Sequence, residues 1–441
     1  MTSPGPLVSY LLLCVMSIRG WWAREGDRIE RPNVLMPPNR AKAQAFPPYP
    51  AWGLERKLRA RGLSESIAGL PTAALAEEIL TPGKGQIRAL FNSGGSPMMA
   101  WPDQRRTRKA IEDLELFVTT DVVYSPTARM ADYVVATKMS LEVPGMTQIS
   151  ESIKYHHPGY GFCQPYAQYA PAVVDPPAGA DLIEDWQLYY RVAQRLSLAL
   201  NWVNMFGRRG GVLEAPIEVV PLDMENEPTT DELFEIMCRG SSVPLDEVKK
   251  YPHGHVFEER QEERVGPRDP DYDARLDVGN SRMLEDLAAL AARDQATVTG
   301  LDDDRTFLLI GRRENRVINS FGRTFPDLMR GRSYNPAFMH PDDLERLGVA
   351  PGDAVEIRSE HDCVVTVAEA DADLRRGVVS ISHGFGRNPG EHEDPRVDGA
   401  NTNRLLRADA EFDPITGMPR MGAVPVSVVP TGVAASMRAS T

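Results

Sequence analysis

An α/β domain on a parallel sheet, followed by a small β-barrel, is the fold class this sequence predicts. Three observations carry that expectation. Residues 86–136 run strand, helix, strand, helix, strand, with the apolar period switching at each step. From Phe307 the texture changes to several short strands separated by turns. At 441 residues the chain is too long for one ordinary domain.

In order along the chain, residues 7–18 are apolar but too short to span a bilayer. No Lys or Arg precedes them, so they read as a core helix and not as a signal peptide. This helix follows the start almost at once, as though the chain began inside a domain. Residues 27–82, rich in Pro and basic side chains, read as an irregular covering segment with one short helix at 72–79. Residues 87–91 form a strand, and Gly94-Gly95-Ser96-Pro97 turns out of it. Thr107, Ala110, Ile111 and Leu114 fall on one helical face. Residues 116–120 form a second strand ending at Asp121, and a short helix at 127–131 leads to a third strand at 133–136. Right-handed crossovers follow for such a unit.

Residues 144–180 carry many Pro, Gly and Tyr and read as a long ordered loop. Asp181, with Glu184 three positions on, has the pattern of a capping box. Leu182, Trp186, Tyr189, Ala193 and Leu196 stripe one face as core. Short helices are expected at 228–239 and 244–250, a solvated connector at 257–277, a helix at 283–292 and an exposed acidic stretch at 296–305. The barrel strands are expected at 307–310, 354–357, 363–368, 377–381 and 424–429. Between the first two, Pro341 and two acids open a helix that Gly348 ends. Residues 431–441 read as a frayed tail. The chain thus divides as 1–143, 144–300 and 301–432.

A net charge of −13 argues against a general nucleic-acid binder. Against that background Arg312, Arg313, Arg316 and Arg323 are a local basic concentration able to clamp a pyrophosphate, or else a solvated strand edge. The cysteines at 14, 163, 238 and 363 are too widely spaced for a zinc or iron–sulfur loop. Reduced thiols fit a reducing, cytoplasmic compartment.

The candidate site residues come from three places. Gly94, Gly95, Ser96 and Pro97 lie at the C-terminal end of a parallel strand, where open α/β sheets bind ligands and bare glycine backbone can approach a phosphate. Asp121 ends the next strand at the same edge. As an acceptor-only carboxylate it can take two hydrogen bonds from guanine, or it can serve as a plain turn residue. Beyond Arg312 and Arg313, Ser320 and Phe321 lie in a Gly-bounded segment, His383-Gly384 directly follows a strand, and Asn401 and Asn403 flank Thr402 in a Gly-led loop. Paired amides can read the edges of a flat heterocycle, and an Asx-rich turn is the alternative. His383 has no second ligand at metal spacing. No nucleophile–base pair, metalloprotease helix, P-loop or dinucleotide glycine fingerprint is present in the sequence.

Taken in order, these segments resemble the C-terminal half of the molybdopterin oxidoreductases, the family of formate dehydrogenases, nitrate reductases and dimethyl sulfoxide reductases. The resemblance runs from Ala89-Leu90-Phe91-Asn92-Ser93-Gly94-Gly95-Ser96-Pro97 through Asp121, Ala131-Asp132-Tyr133 and Leu141-Glu142. It continues at Asn335-Pro336-Ala337-Phe338-Met339-His340-Pro341, Gly348 and Pro351-Gly352-Asp353. It ends with His383-Gly384, Asn401-Thr402-Asn403 and Asp413-Pro414-Ile415-Thr416-Gly417-Met418-Pro419. The resemblance implies bis(molybdopterin guanine dinucleotide) carrying molybdenum or tungsten, and a barrel of double-psi type. Gly94, Gly95, Ser96, Pro97 and Asp121 would hold one guanine dinucleotide. Arg312, Arg313, Ser320, Phe321, His383, Gly384, Asn401 and Asn403 would contact pterin and phosphates. No residue here matches the family's metal ligand or its iron–sulfur cysteines. The expectation is therefore the cofactor-cradling part of a formate-dehydrogenase-like oxidoreductase, inactive alone. Its partner would be a missing N-terminal half or a cysteine-rich chain, with an electron-transfer subunit possible and no direct membrane span. The alternative is a non-catalytic carrier of the pterin dinucleotide.

Overall fold

The computed structural model describes residues 5–29, 34–36, 41–45, 57–64, 69–148, 164–203, 219–257, 263–292, 306–410, 412–413 and 415–431. By contacts these form two units, one of residues 1–13, 51–134 and 279–441, the other of 14–50 and 135–278. The sequence reading groups the chain as three consecutive stretches. The contacts instead interleave two discontinuous ones.

The first unit holds both strand-built bodies. Its sheet has three strands in the order β1 (Ala89–Asn92), β2 (Leu116–Asp121) and β3 (Tyr133–Ala136), and the unit boundary falls inside β3. β1 and β2 pair in parallel, with Asn92 opposite Thr119. The helix Gln104–Glu112 makes the crossover, its N-terminus capped by Asp103, which accepts from Arg106 N at 3.0 Å. Ile111 on that helix packs with Met98, Met99 and Phe117 under the sheet. The short helix expected before β3 is a 3₁₀ turn, Ala128–Met130.

The barrel is closed by six strands: β4 (Thr306–Arg312), β5 (Ala337–Met339), β6 (Ala354–Arg358), β7 (Cys363–Ala370), β8 (Val378–Ser382) and β9 (Val424–Pro430). Their order around the barrel is β4-β8-β5-β7-β6-β9. β4 runs parallel to β8 and β5 parallel to β7, while the other neighbours are antiparallel. Alternate residues point inward, so Phe307, Leu309, Val355, Ile357, Val379, Ile381, Val426 and Val428 share one core. β5, flanked by Pro336 and His340, has no counterpart in the expected strands. The helix Pro341–Leu347 ends at Gly348 with φ 66°. Its buried Asp343 accepts from Gly377 N at 2.7 Å and so ties the helix to the start of β8.

Three expectations differ from the structure. The helix Gly5–Arg19 forms, but only Leu7 is buried and Ile18 is 80% exposed, so it is not a core helix. In the second unit the helix begins at Asp185, because Glu184 and Gln187 form the capping box and not Asp181 with Glu184. Tyr190 and Ala193 are its buried residues, while Tyr189 and Leu196 of the expected stripe are exposed. The charged connector contains a short strand, Glu263–Arg264, paired antiparallel with Arg28–Ile29. Residues 149–163, 293–305 and 432–441 lie outside the described residues, and with them Cys163, the acidic stretch and the tail. Among the described residues no helix is long and apolar enough to cross a membrane.

Candidate functional site

All thirteen candidate residues lie in the first unit. At the sheet edge, Gly94 has φ +60° and nothing within 4 Å of where a Cβ would sit. Gly95 is held beneath: Asn92 Nδ2 donates to Gly95 O at 2.9 Å and to Thr119 Oγ1 at 2.8 Å. A Cβ on Gly95 would lie 2.7 Å from Asn92 Oδ1, so a larger residue there would have to displace the Asn92 amide. The Ser96 hydroxyl pairs with Thr127 Oγ1 at 3.0 Å, and Pro97 opens the short helix Pro97–Ala100. At the end of β2, Asp121 accepts from Val123 N at 3.2 Å and from Ser125 Oγ at 2.6 Å. Each of its oxygens keeps further lone-pair capacity.

On the barrel, the basic segment separates into individual roles. The guanidinium of Arg312 donates to Asp371 at 2.8 Å and lies 3.9 Å over the Phe338 ring. That contact holds the Asp371 carboxyl below its ordinary range. Arg313 donates to Asn319 Oδ1 at 2.9 Å, and His383 Nε2 lies 3.3 Å from the same oxygen. Burial, helped by the Arg313 charge, pushes the His383 imidazole below its usual value and favours the neutral ring. Gly384, at φ +84°, packs against the 319–320 backbone: a Cβ there would come within 2.9 Å of Asn319 O and 3.1 Å of Ser320 Cα. This close approach brings Ser320 and His383 together. Phe321 is exposed and meets Phe325 edge-on at 5.9 Å.

Asn401 and Asn403 bridge the barrel to the sheet. Both are buried, and their amides donate to Met98 O at 2.9 Å and Met99 O at 2.7 Å, directly after the Gly94–Pro97 turn. Asn401 Oδ1 accepts from Asn403 N at 3.0 Å, and Asp103 N donates to Asn403 O at 3.0 Å. The structure therefore brings the two sequence-distant halves of the candidate site onto one body. Three residues not among the candidate site residues complete this joint. Gln104 Nε2 donates to Met98 O and to Arg387 O, both at 3.0 Å. Arg404 donates to Gln104 Oε1 at 2.7 Å and to Glu393 Oε2 at 2.7 Å. Asn335 Nδ2 donates to Ser382 O at 2.6 Å and Ala400 O at 2.9 Å, and its Oδ1 accepts from Ala400 N at 2.7 Å. The resemblance includes Asn335 in its Asn-Pro block, but neither that block nor the Asn-Pro step names its partners.

Two features of this surface could serve a phosphate-bearing ligand. Gly94 leaves open space at a strand end, where a phosphate can approach the backbone. Asn388 Oδ1 is a buried acceptor with no hydrogen-bond partner, while its Nδ2 donates to Pro126 O at 2.9 Å. Such an atom calls for an external donor. Among the described residues no group of three or more His, Cys, Asp or Glu is placed to hold a metal ion.

Comparison with known proteins bears on both halves. Residues 41–195 match the family described as Molybdopterin oxidoreductase, and residues 307–425 match the Molydopterin dinucleotide binding domain. The chain is 23% identical over 343 residues to the dimethyl sulfoxide/trimethylamine N-oxide reductase of Rhodobacter capsulatus, covering 73% of this chain and 39% of that protein. It is 22% identical over 316 residues to the alpha subunit of formate dehydrogenase 2 from Methanococcus maripaludis, covering 70% of this chain and 40% of that one. Among solved structures, acetylene hydratase from Pelobacter acetylenicus shares the fold with a TM-score of 0.56 at 18% identity, over 82% of this chain and 47% of that chain. The chain thus spans less than half the length of each of these proteins. With one match on the sheet side of the joint and the other on the barrel, the chain belongs to the molybdopterin oxidoreductase family.

Proposed function

We propose that this chain cradles bis(molybdopterin guanine dinucleotide) for a molybdopterin-dependent oxidoreductase of formate-dehydrogenase type. When bound, the cofactor supplies two-electron redox chemistry at molybdenum or tungsten. This chain's residues bind and orient it. Gly94 and Gly95 offer backbone N–H groups to phosphate, and Asp121 accepts from the guanine edge. The neutral His383 ring offers a donor and an acceptor toward the pterin side, beside Ser320. Asn401 and Asn403 hold the Gly94–Pro97 turn against the barrel. The observation that carries the reading is that joint: the two family matches meet through Asn401, Asn403 and Gln104. The two parallel strand pairs of the barrel support a double-psi type. We propose further that metal ligation and cluster electron transfer come from cysteine-rich polypeptide outside these residues, and that this chain alone does not oxidise formate.

The test is cofactor content. Expressed in a host that makes the pterin dinucleotide, the protein is expected to release pterin and GMP on denaturation in fixed proportion. Protein free of both would overturn the proposal. Asp121→Asn should weaken guanine retention by about 1–3 kcal/mol, the loss of a charged hydrogen-bond partner. Unchanged retention would remove Asp121 from the site.

A further inference from the structure

We propose that the helix Gly5–Arg19 is a dimerisation element, on which a second copy of this chain docks its own Gly5–Arg19 helix antiparallel. The inference does not rest on the cofactor reading. Its basis is that the helix is apolar on two faces, of which the described residues cover one. Leu7, Tyr10, Leu11 and Cys14, at i, i+3, i+4 and i+7, form the covered face. Leu7 is buried, Tyr10 Oη accepts from Asn280 N at 2.8 Å, and Cys14 Sγ lies 4.0 Å from Val278 O. Val8, Leu12 and Val15 form the other face, at spacings of four and three residues. Each of them is more than half exposed. A helix apolar on both sides is normally buried on both.

The end of the helix extends the open stripe. Gly20, at φ +66°, stops the helix, with Gly20 N donating to Ser17 O at 3.1 Å and Trp21 N to Met16 O at 3.0 Å. The chain turns back there, and Trp22 Nε1 donates to Ser17 Oγ at 2.9 Å. That bond fixes the indole beside the last turn. Trp22 stays exposed, and the exposed Ile18 borders the stripe.

Spacing, charge and area together select a second copy. The alternation of four and three is that of a helix-on-helix seam, where a repeat of about 3.5 residues keeps the side chains facing a partner helix. Residues 5–18 contain no charged side chain, so two identical stripes meet without like-charge contact. Antiparallel docking opposes the two helix dipoles and sends the Arg19 side chains to opposite ends, whereas parallel docking would set them side by side. Val8, Leu12, Val15, Ile18 and Trp22 expose on the order of 500 Å² per copy, so about 1,000 Å² in the pair, the size at which an interface becomes specific. Leu12 is the middle residue of the helix, so a two-fold axis through the pair sets Leu12 against Leu12.

The experiment is sedimentation velocity on the full chain across a concentration series. The wild type should pass from monomer to dimer. Leu12→Glu, which sets two carboxylates against each other at the axis, should weaken association by about a hundredfold or more. Val397→Glu, the same kind of change at an exposed valine after β8, should stay within about twofold of wild type. Circular dichroism and the thermal midpoint, taken at a dilution where wild type is monomeric, should match between wild type and Leu12→Glu, which separates lost docking from misfolding. Cysteine variants test the geometry independently. Leu12→Cys should form an intermolecular disulfide under mild oxidation beyond the wild-type level. Val8→Cys should not, because antiparallel docking parts the two copies of that position by about 12 Å along the axis. Stronger crosslinking at Val8 than at Leu12 overturns the antiparallel pair. A wild type that is monomeric at every concentration, or a dimer that Leu12→Glu leaves intact, overturns the proposal. Monomeric wild type that floats with phosphatidylglycerol–phosphatidylcholine vesicles, while Leu12→Glu does not, overturns it in favour of a lipid surface.

Discussion

The barrel and the three-stranded sheet are both built of short apolar strands, yet they solve the edge problem differently. Each barrel strand has two hydrogen-bonded neighbours, so no edge is left, and Phe307, Val355, Ile357 and Val428 are fully buried. In the sheet only the central strand β2 is buried along its length. Its neighbour β3 leaves Tyr133 65% and Val134 39% exposed. Parallel sheets ordinarily have both faces covered. The difference teaches that closure lets the barrel bury its strands on their own, while the sheet leaves an outer strand solvated and is tied to the barrel through Asn401 and Asn403.

Core truncations probe that contrast most strongly. Phe307→Ala should destabilise the protein by about 3–5 kcal/mol, since it empties a closed core. Val134→Ala should stay within about 0.5 kcal/mol, because the side chain is already solvated. Both are read from denaturant unfolding at matched m-values. Similar losses at the two positions would break the comparison.

A smaller effect tests the strut between the two bodies. Asn403→Ala removes the donor to Met99 O and leaves that buried carbonyl unpaired. The expected cost is about 1–3 kcal/mol. Hydrogen exchange should also speed up at the Met98 and Met99 amides relative to the barrel strands. If exchange there is unaffected, the joint does not hold the turn.

The sequence made some of this legible and hid the rest for physical reasons. Alternating apolar runs located β4, β6, β7, β8 and β9, because inward and outward positions differ in chemistry. β5 escaped: three residues between Pro336 and His340 are too few to show a period. The helix Gly5–Arg19 was legible as a helix, but periodicity records an apolar face and not whether anything covers it. Asn401 and Asn403 stood out as a polar pair after glycine. Their partners did not, because the carbonyls of Met98 and Met99 carry no side-chain signature. Arg312 and Arg323 are the same residue type in one basic stretch. What separates them is Asp371, which β7 delivers to one of them through tertiary pairing. The capping box at Glu184 and Gln187 displaced the expected one because both reciprocal bonds form only there.

The smallest predicted effect concerns His383 at the barrel mouth. Its folded value is depressed from 6.5 by burial and by Arg313, so the unfolded chain binds the proton more readily. Protonation therefore favours unfolding. The contribution of the neutral ring is fully present above about pH 6.5 and declines as the pH drops toward the folded value. An NMR titration of the ring should give a midpoint under 6.5. Arg313→Gln should move that midpoint up, though not fully, because burial is the larger cause. Stability of wild type against His383→Gln should diverge only on the acidic side. A midpoint at or above the ordinary value would mean that the mouth is solvated like the sheet edge, and the contrast between barrel and sheet would then be confined to the barrel's interior.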